Sequence, residues 1–132
     1  MNMMIEKAVT KWIDALNSGD VEALVQASEP TIAITGPRGV AEGTDILRQW
    51  YDNTRLTFDL DKLLVSDNQA IALGTAHWHD EENAEVGSGS TAFLMKTSPS
   101  VRIAALARYD DGLEKALVAS GISDISKWHV ES

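Results

Sequence analysis

The chain has 132 residues, a net charge of −9 at pH 7 and no cysteine. That length allows one domain with one core, and the lack of cysteine excludes disulfides, thiolate metal sites and a cysteine nucleophile. The acidic excess disfavours nucleic acid and anionic membranes as partners, because both require a basic surface. No apolar run approaches the roughly 20 residues that cross a bilayer, and no signal sequence is apparent, so we expect a cytoplasmic protein.

Two helices are predicted at the start of the chain. Apolar residues recur at three- and four-residue steps from Ile5 to Leu16, which indicates a helix that ends before Asn17. Asp20 then provides a cap or a first-turn acid for a second helix, and Pro30 is expected to close it.

The next segment predicts a strand, a turn and a third helix. The strand covers residues 31–35 and runs into Gly36-Pro37-Arg38-Gly39, a cluster of turn-forming residues. Thr44 is the expected N-cap of the third helix, whose apolar stripe includes Trp50 and Tyr51.

From residue 56 onward the apolar residues alternate with polar ones, which predicts long strands. Their expected ranges are 56–66, 69–80, 86–97 and 101–109, and a short amphipathic helix covers 113–120. Helices followed by a meander of antiparallel strands indicate an α+β fold, in which the helices pack on one face of a curved sheet. A pocket between the helices and the concave side of the sheet is expected.

We predict one domain over residues 1–132, with residues 113–132 as a C-terminal helical tail. The apolar side chains of this tail are too many to remain in water. We therefore expect the tail to pack over the mouth of the pocket or onto a partner subunit.

Three segments carry a family pattern. They are Trp12-Ile13-Asp14-Ala15-Leu16-Asn17-Ser18-Gly19-Asp20, then Glu42-Gly43-Thr44 with Trp50-Tyr51 and Asn53, and Arg102-Ile103 leading to Arg108-Tyr109-Asp110. Together they resemble the nuclear transport factor 2-like superfamily, and most closely its SnoaL-like polyketide cyclases and ketosteroid isomerases. The resemblance covers residues 1 to about 111. It implies a cystatin-like α+β roll, a cone with a deep apolar pocket, and a homodimer formed through the outer face of the sheet.

The resemblance also allows the isomerase residues to be compared one at a time. Trp12 stands where those enzymes have an oxyanion-binding tyrosine, and Gly36 stands where they have an aspartate base before a proline. Phe93 stands at the position of their neutral aspartic acid. Because all three residues are missing, we exclude steroid isomerisation by that mechanism.

Side-chain parity along the strands predicts which residues enter the pocket. Matching the second long strand to the family places Trp78 inward and His77 and His79 outward. On the last strand Arg108 and Asp110 share the inward face. In SnoaL-like cyclases an aspartate on this strand resembles the acid/base residue, and Asp110 matches it in position. The alternative is an ordinary ion pair at a strand end.

The expected pocket is aromatic. Its predicted ligand-binding residues are Trp12, Trp50, Tyr51, Trp78, Phe93 and Leu106. A cavity lined by such side chains is how flat or cyclic organic ligands are held, and a plain aromatic core is the equally weighted alternative. His77-x-His79 has the spacing of a metal chelate but no third ligand at matching depth, so we expect interface histidines and no metal or cofactor.

These observations predict a domain that binds a small apolar or cyclic organic molecule. As an enzyme it would carry out metal-free acid/base chemistry of the isomerase, cyclase or dehydratase type, with Asp110 and Arg108 as its catalytic pair. The alternative is a non-catalytic module that binds a ligand or a protein. A third hypothesis, epoxide hydrolysis, requires a second carboxylate such as Asp59 to point into the pocket.

Overall fold

The computed structural model describes residues 3–36, 39–110 and 113–131. The helices are α1 (Met3–Ser18), α2 (Val21–Gln26), α3 (Thr44–Thr54) and α4 (Leu113–Ser120), with a 3₁₀ turn at Ile125–Lys127. The strands are β1 (Ser28–Gly36), β2 (Gly39–Glu42), β3 (Leu56–Ser66), β4 (Gln69–His79), β5 (Glu85–Thr97), β6 (Ile103–Tyr109) and β7 (His129–Glu131).

The described strands form one sheet in the order β2-β1-β6-β5-β4-β3-β7. The pair β1 and β6 is parallel, and the other neighbouring strands are antiparallel. The N-terminal helices pack on one face of this curled sheet, so the predicted α+β roll is confirmed.

Two boundaries differ from the sequence prediction. Pro30 does not close α2, because the helix already ends at Gln26 and Pro30 lies inside β1. The pairing of β1 with β6 shifts register between Ser28 and Ala33, and a proline without a backbone N–H is tolerated at such an irregularity. Pro37 and Arg38 of the predicted turn lie outside the described residues.

The start of α3 also differs from the prediction. Thr44 is the first helical residue, and Gly43 is the N-cap, without a side-chain hydrogen bond. Gly43 has a φ of 109°, a backbone conformation that favours glycine over a residue with a side chain. The glycine therefore sets the chain direction into α3.

The inner face of the sheet is the face that contacts α1 and α3, and it forms the larger apolar core. As parity predicts, the inward side chains of β4 lie in this core: Ala70, Ala72, Ala76 and, packed at its border, Trp78. Phe93 and Met95 of β5 are fully buried in it as well. The alternation of apolar and polar residues therefore identifies the inward side chains of these two strands correctly.

The C-terminal tail packs on the opposite, outer face of the sheet. Its buried residues Ala116, Leu117 and Trp128 form a second apolar core with outward residues of β3 to β6, including Leu64 and Ile71. Strand β7 extends the sheet by pairing with β3, and the Trp128 indole donates a 2.9 Å hydrogen bond to the carbonyl of residue 122. The predicted packing over the pocket mouth is therefore wrong, because the tail covers the chain's own apolar outer face, and packing onto a partner subunit stays a prediction.

Candidate functional site

Arg108 and Asp110 lie together at the end of β6, on the inner side of the sheet. Arg108 is paired with Phe93 of β5, which is an inner-face residue. The Arg108 Nε atom lies 3.4 Å from the Asp110 Oδ1 atom. The same carboxylate oxygen accepts a 3.0 Å hydrogen bond from the Thr91 hydroxyl. Two donors from two neighbouring strands thus hold the carboxylate; we call Thr91, Arg108, Asp110 and Trp78 the rim site.

Arg108 is held from a second side by Trp78. Its guanidinium carbon lies 5.6 Å from the centre of the indole ring, within the range of a cation–π interaction. The Arg108 Nη1 atom is buried and has no hydrogen-bond partner among the described residues. A buried charged donor without an acceptor is costly, so this nitrogen is chemically suited to an oxygen of a bound molecule.

The rim site is partly open to solvent. The side chain of Arg108 is 29% exposed and that of Asp110 is 47% exposed. The contacts with Thr91 and Arg108 are both made by the Oδ1 atom of Asp110.

Three of the predicted ligand-binding residues are packed inside the core. Trp12 and Phe93 have no exposed surface, and Leu106 is 2% exposed. The Trp12 indole N–H donates a 2.9 Å hydrogen bond to the hydroxyl of buried Ser28. Trp12 and Phe93 lie 6.3 Å apart, edge to face, and Phe93 lies 5.0 Å from Phe58. At these positions the structure favours the aromatic-core alternative.

The other three predicted aromatics lie at the border of that core. Trp50 lies 6.0 Å from Trp12, and both Trp50 and Trp78 are partly buried. Tyr51 is also partly buried, but it lines a separate cavity beside the C-terminal end of α1. Among the predicted aromatics, Trp78 is the one that contacts Arg108.

Asp59 does not point into the inner side of the cone. Its side chain is 79% exposed, and it lies 2.9 Å from the Nε2 atom of His77. The other ring nitrogen of His77 lies 2.8 Å from Glu85. The epoxide hydrolysis hypothesis therefore lacks its second carboxylate, because Asp59 is committed to a surface ion pair with His77.

The two histidines of the His77-x-His79 pattern occupy different surroundings. His77 lies between Asp59 and Glu85, whereas His79 contacts the Thr57 hydroxyl at 3.1 Å and lines the same cavity as Tyr51. Thr57 is the cross-strand partner of His77, so the contact of His79 with Thr57 agrees with the predicted outward face of both histidines. Among the described residues no group of three or more His, Asp or Glu side chains is arranged to hold a metal ion.

Sequence reasoning missed two features of this region. One is Ser28, the partner of the Trp12 indole, since a contact 16 residues away has no local pattern. The other is the cavity that His79 and Tyr51 share. The turn sequence Asn17-Ser18-Gly19 lines that cavity and was visible as a helix end.

A family model described as a SnoaL-like domain matches residues 9–113. The chain belongs to this family. The predicted membership in the SnoaL-like branch of the nuclear transport factor 2-like superfamily is therefore confirmed. A comparison with curated protein sequences gives no significant match.

Solved structures of low sequence identity share the fold. A nuclear transport factor 2-like protein of unknown function from Cytophaga hutchinsonii is 17% identical, with 81% of this chain and 89% of that chain covered and a TM-score of 0.66. A Mycobacterium tuberculosis protein in complex with estradiol-17β-hemisuccinate is 13% identical, with coverages of 80% and 92% and a TM-score of 0.69. SalBIII, an epoxide hydrolase/cyclase-like enzyme of salinomycin pyran ring formation, is 16% identical, with coverages of 80% and 88% and a TM-score of 0.67.

None of the described helices is both long enough and apolar enough to span a membrane.

Proposed function

We propose that this SnoaL-like protein binds a small cyclic organic molecule at the rim site and acts on it by metal-free proton transfer. The observation that carries the proposal is the convergence of Arg108, Asp110 and Thr91 beside the Trp78 indole. A ligand oxygen would accept from Arg108 Nη1, and the ring system of the ligand would contact Trp78 and Trp50.

The chemistry follows from the charges of the pair. Asp110 would act as the base and remove a proton from a carbon beside a carbonyl group. The guanidinium of Arg108 would stabilise the negative charge that then develops on the carbonyl oxygen. The proton held by Asp110 would then return to another carbon in an isomerase, to the oxygen of the attacked carbonyl when the enolate carbon adds to it in a cyclase, or to the departing hydroxyl, released as water, in a lyase. None of these steps requires a cofactor.

Two similar proteins support a ligand of this class. The Mycobacterium tuberculosis structure contains estradiol-17β-hemisuccinate, and SalBIII has a role in pyran ring formation. Both resemble this chain in fold alone. Non-catalytic binding is the second candidate, because the 47% exposure of the Asp110 side chain leaves the carboxylate open to water.

Tryptophan fluorescence titration with a library of cyclic ketones and cyclic organic acids tests the binding proposal. Arg108→Gln removes a charged donor worth about 1.5–3 kcal/mol, so we expect affinity to fall about 10- to 100-fold. Arg102→Gln is the matched control, since Arg102 is exposed and flanks the other end of β6. Equal affinity in the wild type and Arg108→Gln would contradict the proposal.

Measuring turnover distinguishes the enzyme hypothesis from the non-catalytic binding hypothesis. For any bound compound that the protein converts, Asp110→Asn should lower kcat about 100-fold or more, because a positioned base contributes roughly that factor. Its affinity for the compound should change much less. Binding without conversion of any library compound would favour the non-catalytic module.

A homodimer through the outer face stays part of the proposal. The tail covers the apolar end of that face, so a dimer would use the polar end around His77 and Asp59. Light scattering of the full chain tests this, and a monomer at all accessible concentrations would contradict it.

A further inference from the structure

A second cavity lies apart from the rim site, where the last turns of α1 and α3 meet the start of β3 and the end of β4. It has a volume of about 230 Å³. We call it the helix-end cavity, and its lining residues include Leu16, Tyr51, Asp52, Leu56, Thr57 and His79. The volume is below the roughly 300 Å³ at which typical ligand pockets begin, so it suits only a small molecule.

The walls of the helix-end cavity are tied together by Asn17. Its side-chain amide donates a 2.8 Å hydrogen bond to the Phe58 carbonyl, and its oxygen accepts one of 2.7 Å from the Phe58 N–H. This pair fixes the end of α1 against the edge of β3. Gly19 follows with a φ of 78°, and a side chain there would contact the Tyr51 hydroxyl, 3.9 Å from the Cβ position. The cavity is therefore a built feature of the fold.

His79 is one of the polar residues that line the cavity. His79 Nε2 lies 3.1 Å from the Thr57 hydroxyl oxygen, whereas His79 Nδ1 is buried without a hydrogen-bond partner among the described residues. When Nε2–H donates to Thr57, Nδ1 carries a free lone pair and is an acceptor. A donor in the cavity would complete the hydrogen bonding of the ring.

Two helix ends and the Asp52 carboxylate place negative charge at the cavity. Two helices end at the cavity, and helix C-termini carry partial negative charge. The Asp52 carboxylate lines the cavity, and Arg55, which also lines it, is exposed. Burial raises the pKa of Tyr51 above its ordinary value, and the charges of Asp52 and Asp20 raise it further, against a smaller lowering by Arg55. The tyrosine is therefore a neutral ring that a cation can approach.

We propose that the helix-end cavity binds a small organic cation, a protonated primary amine with a short alkyl group. The ammonium group would donate to His79 Nδ1 and to the Asp52 carboxylate. Its alkyl group would contact Leu16, Leu56 and the Tyr51 ring. This site is independent of the rim site, because the two share no residue.

An NMR titration with propylammonium chloride at constant ionic strength tests the proposal, with 1-propanol as the neutral probe and propionate as the anion. We expect saturable shifts of the His79 and Tyr51 ring signals with propylammonium. Affinity for 1-propanol should be at least about tenfold weaker, and propionate should leave these signals unchanged. Equal affinity for propylammonium and 1-propanol, or no shift at His79, would overturn the proposal.

Matched variants locate the binding. Asp52→Asn changes an exposed residue and should weaken propylammonium binding about 3- to 10-fold. Asp45→Asn, in the first turn of the same helix, should leave the affinity unchanged. His79→Phe should abolish binding while His77→Phe retains it, and Arg108→Gln should have no effect. An equal loss in Asp52→Asn and Asp45→Asn would overturn the assignment, because it would indicate attraction to net charge alone.

Discussion

Ser28 and Trp12 form a buried polar pair within an apolar core. Ser28→Ala leaves the indole N–H without an acceptor, and an unpaired buried donor costs about 1–3 kcal/mol. We expect the free energy of unfolding in urea to fall by that amount. Ser90→Ala, at an exposed position of β5, should change it by less than about 0.5 kcal/mol. Equal losses in the two variants would show that the pair contributes nothing.

His77 provides a pH-dependent contact on the outer face. Its hydrogen bond with Asp59 raises the pKa of His77 above the usual value of about 6.5, and Glu85 adds to the effect. The folded pKa exceeds the unfolded one, so the stabilisation is complete below pH about 6.5 and is lost as pH rises through the folded pKa. We expect an NMR titration of the ring to give a midpoint above about 6.5.

Substitutions distinguish the effects of Asp59 and Glu85 on the pKa of His77. Asp59→Asn should lower the pKa of His77, because it removes the larger of the two effects. Asp61→Asn, a nearby exposed acid on the same strand, should leave it unchanged. A wild-type midpoint at or below about 6.5 would contradict the ion pair.

The face on which a single side chain lies was predictable from sequence where strand alternation determines it. The shared face of Arg108 and Asp110 follows from their spacing, and the structure places their side chains 3.4 Å apart. The outward parity predicted for His79 agrees with its contact to Thr57, the cross-strand partner of His77. Ser28 could not be assigned to Trp12, because the contact joins a helix to a strand.

At the level of elements, Gly74 allows β3 and β4 to approach closely. The β3 strand is irregular between Leu60 and Lys62, opposite this glycine. A Cβ atom at position 74 would lie 2.0 Å from the Asp59 carbonyl oxygen and 2.8 Å from the Phe58 ring. Gly74→Ala should therefore lower the free energy of unfolding by at least about 2 kcal/mol.

Gly87→Ala is the control for that prediction. A Cβ atom at position 87 has nothing within 4 Å, so we expect a change within about 1 kcal/mol. Urea unfolding of both variants makes the comparison. A Gly74→Ala protein as stable as Gly87→Ala would contradict the close approach of the strands.

The long strands were predictable because their apolar alternation persists over many residues. The range 56–66 was predicted and matches β3 as observed. Strands β2 and β7 were missed, since runs of four and three residues carry too little periodicity to separate from turns. Pairing with β1 and β3 determines their structure, and pairing between distant segments is not visible in local sequence.

For the whole molecule, the C-terminal tail is part of the fold. Trp128 is 6% exposed in the outer core, so Trp128→Ala should lower the free energy of unfolding by about 3–5 kcal/mol. Ile125→Ala is the control, because Ile125 in the same tail is 52% exposed and should cost less than about 0.5 kcal/mol. Chemical unfolding of the full chain measures both, and similar losses would contradict the packing of the tail on the sheet.

The tail shows where whole-molecule prediction failed. Its apolar residues correctly indicated burial, but the sequence did not say on which surface. The outward residues Leu64, Ile71 and Leu94 provide that surface within the same chain. The resemblance, which ends at about residue 111, could not supply the answer because the tail lies beyond it.

The central claim is that a ligand oxygen binds Arg108 beside Asp110 at the rim of the cone. The most direct test is a crystal structure of the protein with the tightest compound from the fluorescence titration. We predict a ligand oxygen about 3 Å from Arg108 Nη1, with the ligand ring against Trp78. A ligand bound in the helix-end cavity or between α4 and the sheet, without contact to Arg108, would contradict the claim.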